Sequence, residues 1–157
     1  EKCYEESADI LVIQESDEIF AYRKGVVITH TVTQPNRNEE YTGLEELGQR
    51  ALVEGCNVFV IGEVKGGEIC SAITLANSGC RTALTIHSTS SMDTIDKMAD
   101  LAMRGIATSY DDARRMLKAF QTIIYIENFQ VKEITEIMGY DNKKKDMIYR
   151  PIYRKDM

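Results

Sequence analysis

The stretch NVFVIGEVKGGE, Asn57–Glu68, decides the fold of this chain. Its four apolar residues at 58–61 predict a short strand that is buried on both faces. The strand runs directly into a glycine and Glu63, and Glu68 follows after Lys65 and two further glycines. Because a carboxylate at the end of a buried strand is costly to desolvate, we expect Glu63 to serve a function.

The composition is that of an ordinary globular protein. The 157 residues are 43% hydrophobic and 28% charged, and this length predicts a single domain over residues 1–157. No apolar run approaches the roughly 18 residues of a membrane span, and the acidic opening does not resemble a signal peptide. The net charge of −6 argues against direct nucleic-acid binding. The four cysteines form no CxxC pair, so Cys56 and Cys70 are expected to be buried thiols in a reducing compartment.

Apolar periodicity predicts strands alternating with helices up to about residue 120 and strands alone beyond it. This order indicates an α/β fold with a mainly parallel sheet flanked by helices, followed by antiparallel strands at the C-terminus. The first strands are expected at Asp9–Ile13, Val26–Thr33, Val58–Ile61 and Thr82–His87. Helices are expected to begin at Thr42 (with Glu45 completing a capping box), about Glu68, Ser90 or Ser91, and Ser109. Their predicted apolar faces include Leu52, Met92, Met98, Ala113, Met116, Leu117 and Phe120.

Polar residues follow three of the predicted strands. In an open α/β sheet, ligands bind outside the carboxyl ends of the strands. If these strands are neighbours, one edge collects Glu15, Glu18, Glu63, Glu68 and His87, which predicts a site for a metal, a phosphate or an activated water. Two alternatives stay open: solvated loop acids at Glu15 and Glu18, and a first-turn acid facing a helix dipole at Glu68. His30 has no such neighbours in the pattern and is expected to be structural.

The run VFVIGEVKGGEICSAITLANSGCRTALTIHSTSSMDTIDKMADLAMRG, residues 58–105, closely resembles the secretion and pilus-assembly ATPases, the type II/type IV secretion traffic ATPase family. In that family a Walker B strand ends in Gly-Glu-Val-Arg-Gly-x-Glu, and a later strand ends in Thr-Ile-His. The first motif is matched by Gly62, Glu63, Gly66 and Glu68, and the second by Thr85, Ile86 and His87. ILVIQESDEI resembles the acidic box of the family through Glu15 and Glu18. The resemblance extends from residue 9 to about 153.

The resemblance implies a RecA-like P-loop NTPase fold and an ATPase that uses ATP and Mg²⁺ to power secretion, pilus assembly or conjugative transfer. It implies that Glu63 orients water or Mg²⁺, that Glu68 supports the site, and that His87 senses the γ-phosphate. The other implied nucleotide-site residues are Glu15, Glu18, Gly62, Lys65, Gly66 and Thr85, with Glu15 joining Glu63 toward Mg²⁺. It further implies a homo-hexamer that is cytoplasmic, peripheral at the inner face of the membrane, and bound to inner-membrane components.

Three departures from the family pattern keep other functions open. Gln14 stands where the acidic box usually has an acid, Lys65 replaces an arginine, and Cys80 replaces a histidine. The substitution at Lys65 keeps the charge but loses the planar guanidinium. A non-catalytic assembly module of the same machine is therefore the second hypothesis. A metal-dependent hydrolase that uses the Glu/Glu/His cluster directly is the third.

The phosphate-binding loop of such ATPases is missing from this sequence. None of the ten glycines is followed by lysine, whereas the Walker A motif is Gly-x-x-x-x-Gly-Lys-Ser/Thr. In the family this loop precedes the strand that ends in the acidic box. We therefore expect the chain to be the C-terminal part of a larger ATPase core. Alone, it is expected to bind ATP with an affinity on the order of millimolar at best and not to hydrolyse it.

Overall fold

The structure is a computed structural model that describes residues 4–22, 24–31 and 42–155. The predicted end of the second strand at Thr33 and the loop before the first helix lie outside these residues. The chain divides into two compact units, Glu1–Thr85 and Ile86–Met157. Each unit has its own sheet, and the two are described in turn.

The first unit contains a four-stranded parallel sheet in the order β2-β1-β3-β4. Parallel neighbours need a crossover connection, and two helices provide it after β2 and after β3. Helix α1 contacts β1, and α2 contacts β3 and β4. The predicted parallel sheet with flanking helices is confirmed. The elements are β1 (Ile10–Gln14), β2 (Val26–His30), α1 (Leu44–Glu54), β3 (Val58–Ile61), α2 (Ile69–Asn77) and β4 (Arg81–Leu84).

The two central strands form the core of this unit. All five residues of β1 are buried, and in β3 the side chains of Val58, Phe59 and Ile61 are 0% exposed. Side chains alternate between the two faces of a sheet, so Phe59 and Ile61 face away from Val58. Val58 packs with Ile10 and Val12 in one apolar cluster. The prediction that 58–61 is a strand with two apolar faces is confirmed.

Helices α1 and α2 pack closely at Gly48. A Cβ atom at Gly48 would lie 2.8 Å from Ser71 Oγ, so this contact requires glycine. Two predictions for α1 are wrong. The helix has Gly43 as its N-cap and no side-chain cap, so Thr42 and Glu45 form no capping box. Leu52 is 39% exposed, because it follows the buried Ala51 by one residue, about 100° around the helix.

Strand β4 is shorter than predicted. Its last residue, Leu84, pairs with Ile61, the last residue of β3. Regular pairing therefore ends there, and 85–87 continue beyond the strand rather than within it. This corrects the predicted strand Thr82–His87.

The second unit combines helices with a three-stranded antiparallel sheet in the order β5-β6-β7, which confirms the predicted C-terminal strands. Asn128 and Phe129 form the two-residue connection between β5 and β6, with φ of 50° and 58°, the left-handed conformation typical of tight hairpin turns. The elements are α3 (Ser91–Gly105), α4 (Tyr110–Met116), a 3₁₀ turn (Leu117–Ala119), β5 (Thr122–Glu127), β6 (Gln130–Asp141) and β7 (Asp146–Arg154).

The helix starts in this unit follow the sequence. Ser90 Oγ accepts from the backbone N–H of Asp93, and Ser109 Oγ accepts from that of Asp112, so both predicted serine caps are confirmed. Met98, Ala113 and Leu117 are buried as predicted, whereas Met116 and Phe120 are half-buried. Met92 is 49% exposed, because Ser91 takes the buried position at the start of α3. No helix in the described part of the chain is both long and apolar enough to cross a membrane.

Candidate active site at the sheet edge

The candidate site lies where β1 and β3 end. Ile13 and Ile61 are partners in the parallel register, so two further steps along each strand bring the chain to Glu15 and Glu63. The backbone N–H of Gly62 donates to the carbonyl of Ile13 at 2.9 Å, which extends the pairing past the end of β3. Adjacent parallel strands thus deliver two acids to the same edge, as the sequence predicted.

Lys65 connects these two acids. Its ammonium lies 2.6 Å from Glu15 Oε2 and 3.1 Å from Glu63 Oε2. The hydrogen bonds to Glu15 and then to Glu63 raise the pKa of Lys65, so the lysine is charged throughout the physiological pH range. The Lys65 side chain is 52% exposed and that of Glu63 is 25% exposed. The cluster is therefore a solvent-accessible cation held by two carboxylates.

Glu68 fixes the loop that carries Lys65. It is buried, with 4% of its surface exposed, and its Oε1 accepts from the backbone N–H groups of Lys65 and Gly66. The distance to Gly66 N is 2.8 Å. The backbone of Glu68 is the N-cap of α2, but its carboxylate turns to the loop ahead of the helix. This geometry is that of a loop anchor.

Thr85, the first residue after β4, forms hydrogen bonds with the beginning of the same loop. The backbone N–H of Val64 donates to the carbonyl of Thr85 at 2.9 Å, and the hydroxyl of Thr85 donates to the carbonyl of Gly62. Val64 itself is 3% exposed. Glu63 therefore lies between two residues whose backbones are hydrogen-bonded to β1 and to the segment just after β4. The hydroxyl of Thr85, predicted at the nucleotide site, serves this loop in the structure.

Gln14 has a role that the sequence did not reveal. It is 1% exposed, and its side-chain amide makes two hydrogen bonds to the backbone of Ile19, of 2.9 Å to N and 3.1 Å to O. The amide therefore fastens the acidic turn at 15–18. Its Nε2 also lies 2.9 Å from Nε2 of His30, which is 2.7 Å from Asp17 Oδ1. An amide can accept from the N–H of Ile19 and donate to its carbonyl, whereas an ionised carboxylate could only accept.

The two remaining predicted residues, Glu18 and His87, are both exposed. Glu18 is exposed and accepts a hydrogen bond from Ser16 Oγ at 3.0 Å. This contact fits the alternative of a solvated loop acid. His87 is exposed and lies at the beginning of the second unit, ahead of the residues that cap α3. The structure thus places Glu15 and Glu63 in direct contact with Lys65. Glu68 holds the backbone of the loop that carries Lys65.

The acids could supply only part of the ligand set of a magnesium ion. Within residues 4–22, 24–31 and 42–155, no group of three or more His, Cys, Asp or Glu side chains is arranged to hold a metal ion. Magnesium in phosphate-processing sites is typically bound by one or two carboxylates, with water and substrate phosphates completing its shell. Glu15 and Glu63 fit that role, since both already converge on one cation, the Lys65 ammonium.

Comparison with solved structures identifies the fold. The VirB11 ATPase from the Brucella suis type IV secretion system, solved in complex with sulphate, superimposes with a TM-score of 0.68 over 81% of this chain and 39% of that chain, at 17% identity. The chain has the fold of a secretion ATPase. The pilus retraction motor PilT, solved with bound ADP, gives a TM-score of 0.57 over 75% of this chain and 33% of that chain, at 22% identity.

A third structure with this fold is the Legionella pneumophila ATPase DotB, with a TM-score of 0.52 over 90% of this chain and 35% of that chain, at 13% identity. The chain therefore spans between 33% and 39% of the length of these three proteins. No protein-family model matches the sequence, and no curated protein matches it. The fold predicted from the motifs is confirmed by structural similarity alone.

Proposed function

We propose that this chain is the C-terminal part of an ATPase motor that powers type II or type IV secretion, pilus assembly or conjugative transfer. The observation that carries the proposal is the convergence of Glu15 and Glu63 on Lys65 at the carboxyl edge of a parallel sheet. The order of the sequence motifs and the shared fold support it. The proposal includes a homo-hexameric ring at the inner face of the membrane, in contact with inner-membrane components of the machine.

Glu63 is proposed to position the attacking water or a magnesium ion. Its backbone is fixed by the hydrogen bonds of Gly62 to β1 and of Val64 to the segment just after β4, while its carboxylate is accessible to solvent. Phosphoryl transfer depends mainly on positioning and on charge stabilisation, and a fixed carboxylate supplies the first. Mg-ATP, when bound, would supply the reacting phosphoryl group, and its magnesium ion would offset the negative charge of the phosphates.

Glu68 and Lys65 are proposed to act around Glu63. Glu68 keeps the loop at 65–66 in place through two backbone N–H groups. Lys65 holds Glu15 and Glu63 together and offers an ammonium on a flexible stem, which suits a phosphate anion as well as a carboxylate. Both residues would thus preserve the position of the acid that does the chemistry.

The non-catalytic assembly module remains the second candidate, and one observation favours it. Gln14, in place of an acid, is built into the fold by its bonds to Ile19. In this alternative the parent chain forms the ring contacts without ATP turnover.

Substitution of Glu63 in a parent chain that includes the upstream phosphate-binding segment separates these candidates. Glu63→Gln is expected to keep ATP binding and to reduce turnover by about a hundredfold or more. Glu46→Gln is the matched control, because Glu46 is an exposed acid paired with Arg50 at 2.7 Å in α1. Unchanged turnover in Glu63→Gln would remove Glu63 from the mechanism. A wild-type parent with no turnover would establish the non-catalytic module.

His87 is tested by nucleotide preference. If it senses the γ-phosphate, His87→Ala in the same parent chain should leave ADP affinity nearly unchanged and weaken the preference for ATP analogues. Equal losses for both nucleotides, together with a lower melting temperature, would show that the histidine is structural. Calorimetric titration of each nucleotide, alongside thermal melting, gives both readouts.

A further inference from the structure

Two cysteine thiols face each other at the amino ends of β3 and β4. Cys56 lies two residues before β3, and Cys80 lies one residue before β4. Their Sγ atoms are 3.8 Å apart, and both thiols are free and half-buried. The sequence predicted Cys56 as a buried thiol without a function. That prediction is wrong on burial, because Cys56 is half-buried. It also did not place Cys80 beside Cys56.

The backbone holds the two cysteine segments side by side. Val58 pairs with Arg81 in the parallel register, and the N–H of Arg81 donates to the carbonyl of Asn57 at 3.2 Å. Cys56 and Cys80 both lie just before their strands, so the alternation of side chains between the two faces of a sheet does not separate them. Their Sγ atoms are 3.8 Å apart, and closing a disulfide of about 2.05 Å requires the two sulfurs to move about 1.8 Å closer.

We propose that Cys56 and Cys80 are a redox modification site that forms a reversible disulfide with glutathione disulfide, or a similar small disulfide, as the oxidant. Reversible disulfides of this kind in reducing compartments are typically regulatory rather than structural. The proposal does not depend on the function proposed above.

A cavity gives the oxidant access to the thiols. It has a volume of about 540 Å³ and is lined by both cysteines together with Glu5, Asn57 and Arg81. This volume lies within the range of small-molecule sites, roughly 300–1,000 Å³. The guanidinium of Arg81 lies over the ring of Tyr4, 5.8 Å from its centroid, and provides a positive charge that suits the carboxylates of glutathione.

The closeness of the two sulfurs favours the second step of the exchange. Burial and then the adjacent Cys80 raise the pKa of the Cys56 thiol, which slows attack by Cys56, because the thiolate is the attacking species. Once one cysteine holds glutathione, however, the other thiol lies 3.8 Å from it and attacks within the same molecule.

The exchange balances in two steps. One of the two cysteines, as its thiolate, attacks one sulfur of glutathione disulfide, the S–S bond of the oxidant breaks, and one glutathione leaves as a thiolate and takes up a proton. The other cysteine then loses its proton and attacks the sulfur of the first, which displaces the second glutathione. Two protein thiols are oxidised and one glutathione disulfide is reduced to two glutathiones.

The new bond would enclose the segment that carries the candidate active site. Residues 56–80 include β3, the loop with Glu63 and Lys65, and α2. A crosslink across such a segment restricts the unfolded chain more than the folded one. Oxidation should therefore raise the melting temperature.

The test is incubation of the purified chain in about 1 mM each of glutathione and glutathione disulfide, followed by peptide mapping without reduction. We expect a Cys56–Cys80 bridge in most molecules, reversal by dithiothreitol, and a free thiol at Cys70. The melting temperature should rise by about 5 °C or more on oxidation. Free thiols at both positions, a bridge to Cys70 or Cys3, or a persistent glutathione adduct would each overturn the proposal.

Serine variants test the two-step exchange. Cys56→Ser and Cys80→Ser should each accumulate glutathione on the remaining cysteine, because no second thiol displaces it. Cys70→Ser is the matched control, since Cys70 is a half-buried thiol of the same unit and its loss should not change the bridge. The absence of glutathione from the remaining cysteine in both variants, or loss of the bridge in Cys70→Ser, would overturn the proposal.

Discussion

Two glutamates, one in each unit, show opposite uses of a carboxylate. Glu63 faces Lys65, whose side chain is 52% exposed. Glu133 in β6 is 13% exposed and accepts from the N–H of Ser91 at 2.9 Å and from its hydroxyl at 2.6 Å, while Arg154 Nη2 lies 2.8 Å away. The hydrogen bonds from Ser91, and then that from Arg154, lower the pKa of Glu133 to about 2.

The difference separates an acid on which the fold depends from the acid that is proposed to serve catalysis. The donors to Glu133 include the backbone N–H and the hydroxyl of Ser91, which is 2% exposed, so water cannot replace Glu133 as their acceptor. The ammonium that faces Glu63 is held on a long, solvated side chain and can exchange its partners with water and ligands at small cost. Burial of the donors, more than the presence of an ion pair, indicates which acid the fold depends on.

The largest effect on folding is expected at Glu133. Glu133→Ala leaves the N–H and hydroxyl of Ser91 without this acceptor at a buried helix start, so it should lower the free energy of unfolding by about 3 kcal/mol. Urea denaturation measures this loss. The matched control is Glu136→Ala, three residues further along β6, where Glu136 pairs with the exposed Arg150, and the loss should stay below about 1 kcal/mol. Equal losses in both variants would contradict the comparison.

The same acid predicts a dependence on pH. The pKa of Glu133 in the folded chain is about 2, below its ordinary value of 4.5. The stability it contributes is therefore complete above about pH 4.5 and is lost as the pH falls toward 2, by about 2 to 3 kcal/mol in total. Denaturation at a series of acidic pH values should show a shallower decline in Glu133→Gln than in the wild type. Parallel curves would show that Glu133 does not control the acid response.

A loss of stability of intermediate size is expected at Gly48, where α1 packs against α2. A Cβ at Gly48 would meet Ser71 Oγ at 2.8 Å and Ser71 Cβ at 2.9 Å. Gly48→Ala should therefore cost about 1 to 2 kcal/mol, even though alanine favours a helix by about 1 kcal/mol over glycine. The double variant Gly48→Ala/Ser71→Gly should recover part of the loss. A more stable Gly48→Ala would show that the helices can separate without cost.

The smallest effect on folding is expected at Glu63. Because its partner is solvated and its backbone is fixed by Gly62 and Val64, Glu63→Gln should change the free energy of unfolding by no more than about 0.5 kcal/mol. Thermal and urea denaturation of this chain provide the measurement. A loss as large as that of Glu133→Ala would show that Glu63 is a structural acid, and the contrast between the two glutamates would disappear.

Local sequence signals predicted the elements whose formation depends on residues close to one another in the sequence. Four apolar residues between Asn57 and Gly62 gave β3 with its observed bounds, and Ser90 and Ser109 gave two helix starts, since a serine cap acts within one turn. The capping box predicted at Thr42 does not form, because the helix has Gly43 as its N-cap. Here the tertiary surroundings outweigh the local capping signal.

The candidate site was predictable in part for the same reason. Parallel strands end at one edge, so the meeting of Glu15 and Glu63 followed from the strand order. The position of Gln14, the loop contacts of Thr85 and the pairing of Cys56 with Cys80 depend on residues distant in sequence. Nothing in the local pattern indicates which side chain will close such a contact, and the sequence therefore gave those residues other roles or none.

The order of pairing in the two sheets also has a kinetic consequence. Strands β5 and β6 are joined by Asn128 and Phe129 alone, whereas β1 and β3 must meet across about 40 intervening residues. Hairpins of the first kind close within about 1–10 μs, and distant parallel pairing is slower because it must overcome a larger loss of chain entropy. During refolding, amide protection should therefore appear first in the C-terminal hairpin. The edge that holds Glu15 beside Glu63 exists only after the slower event, so the candidate active site is among the last features of the chain to form.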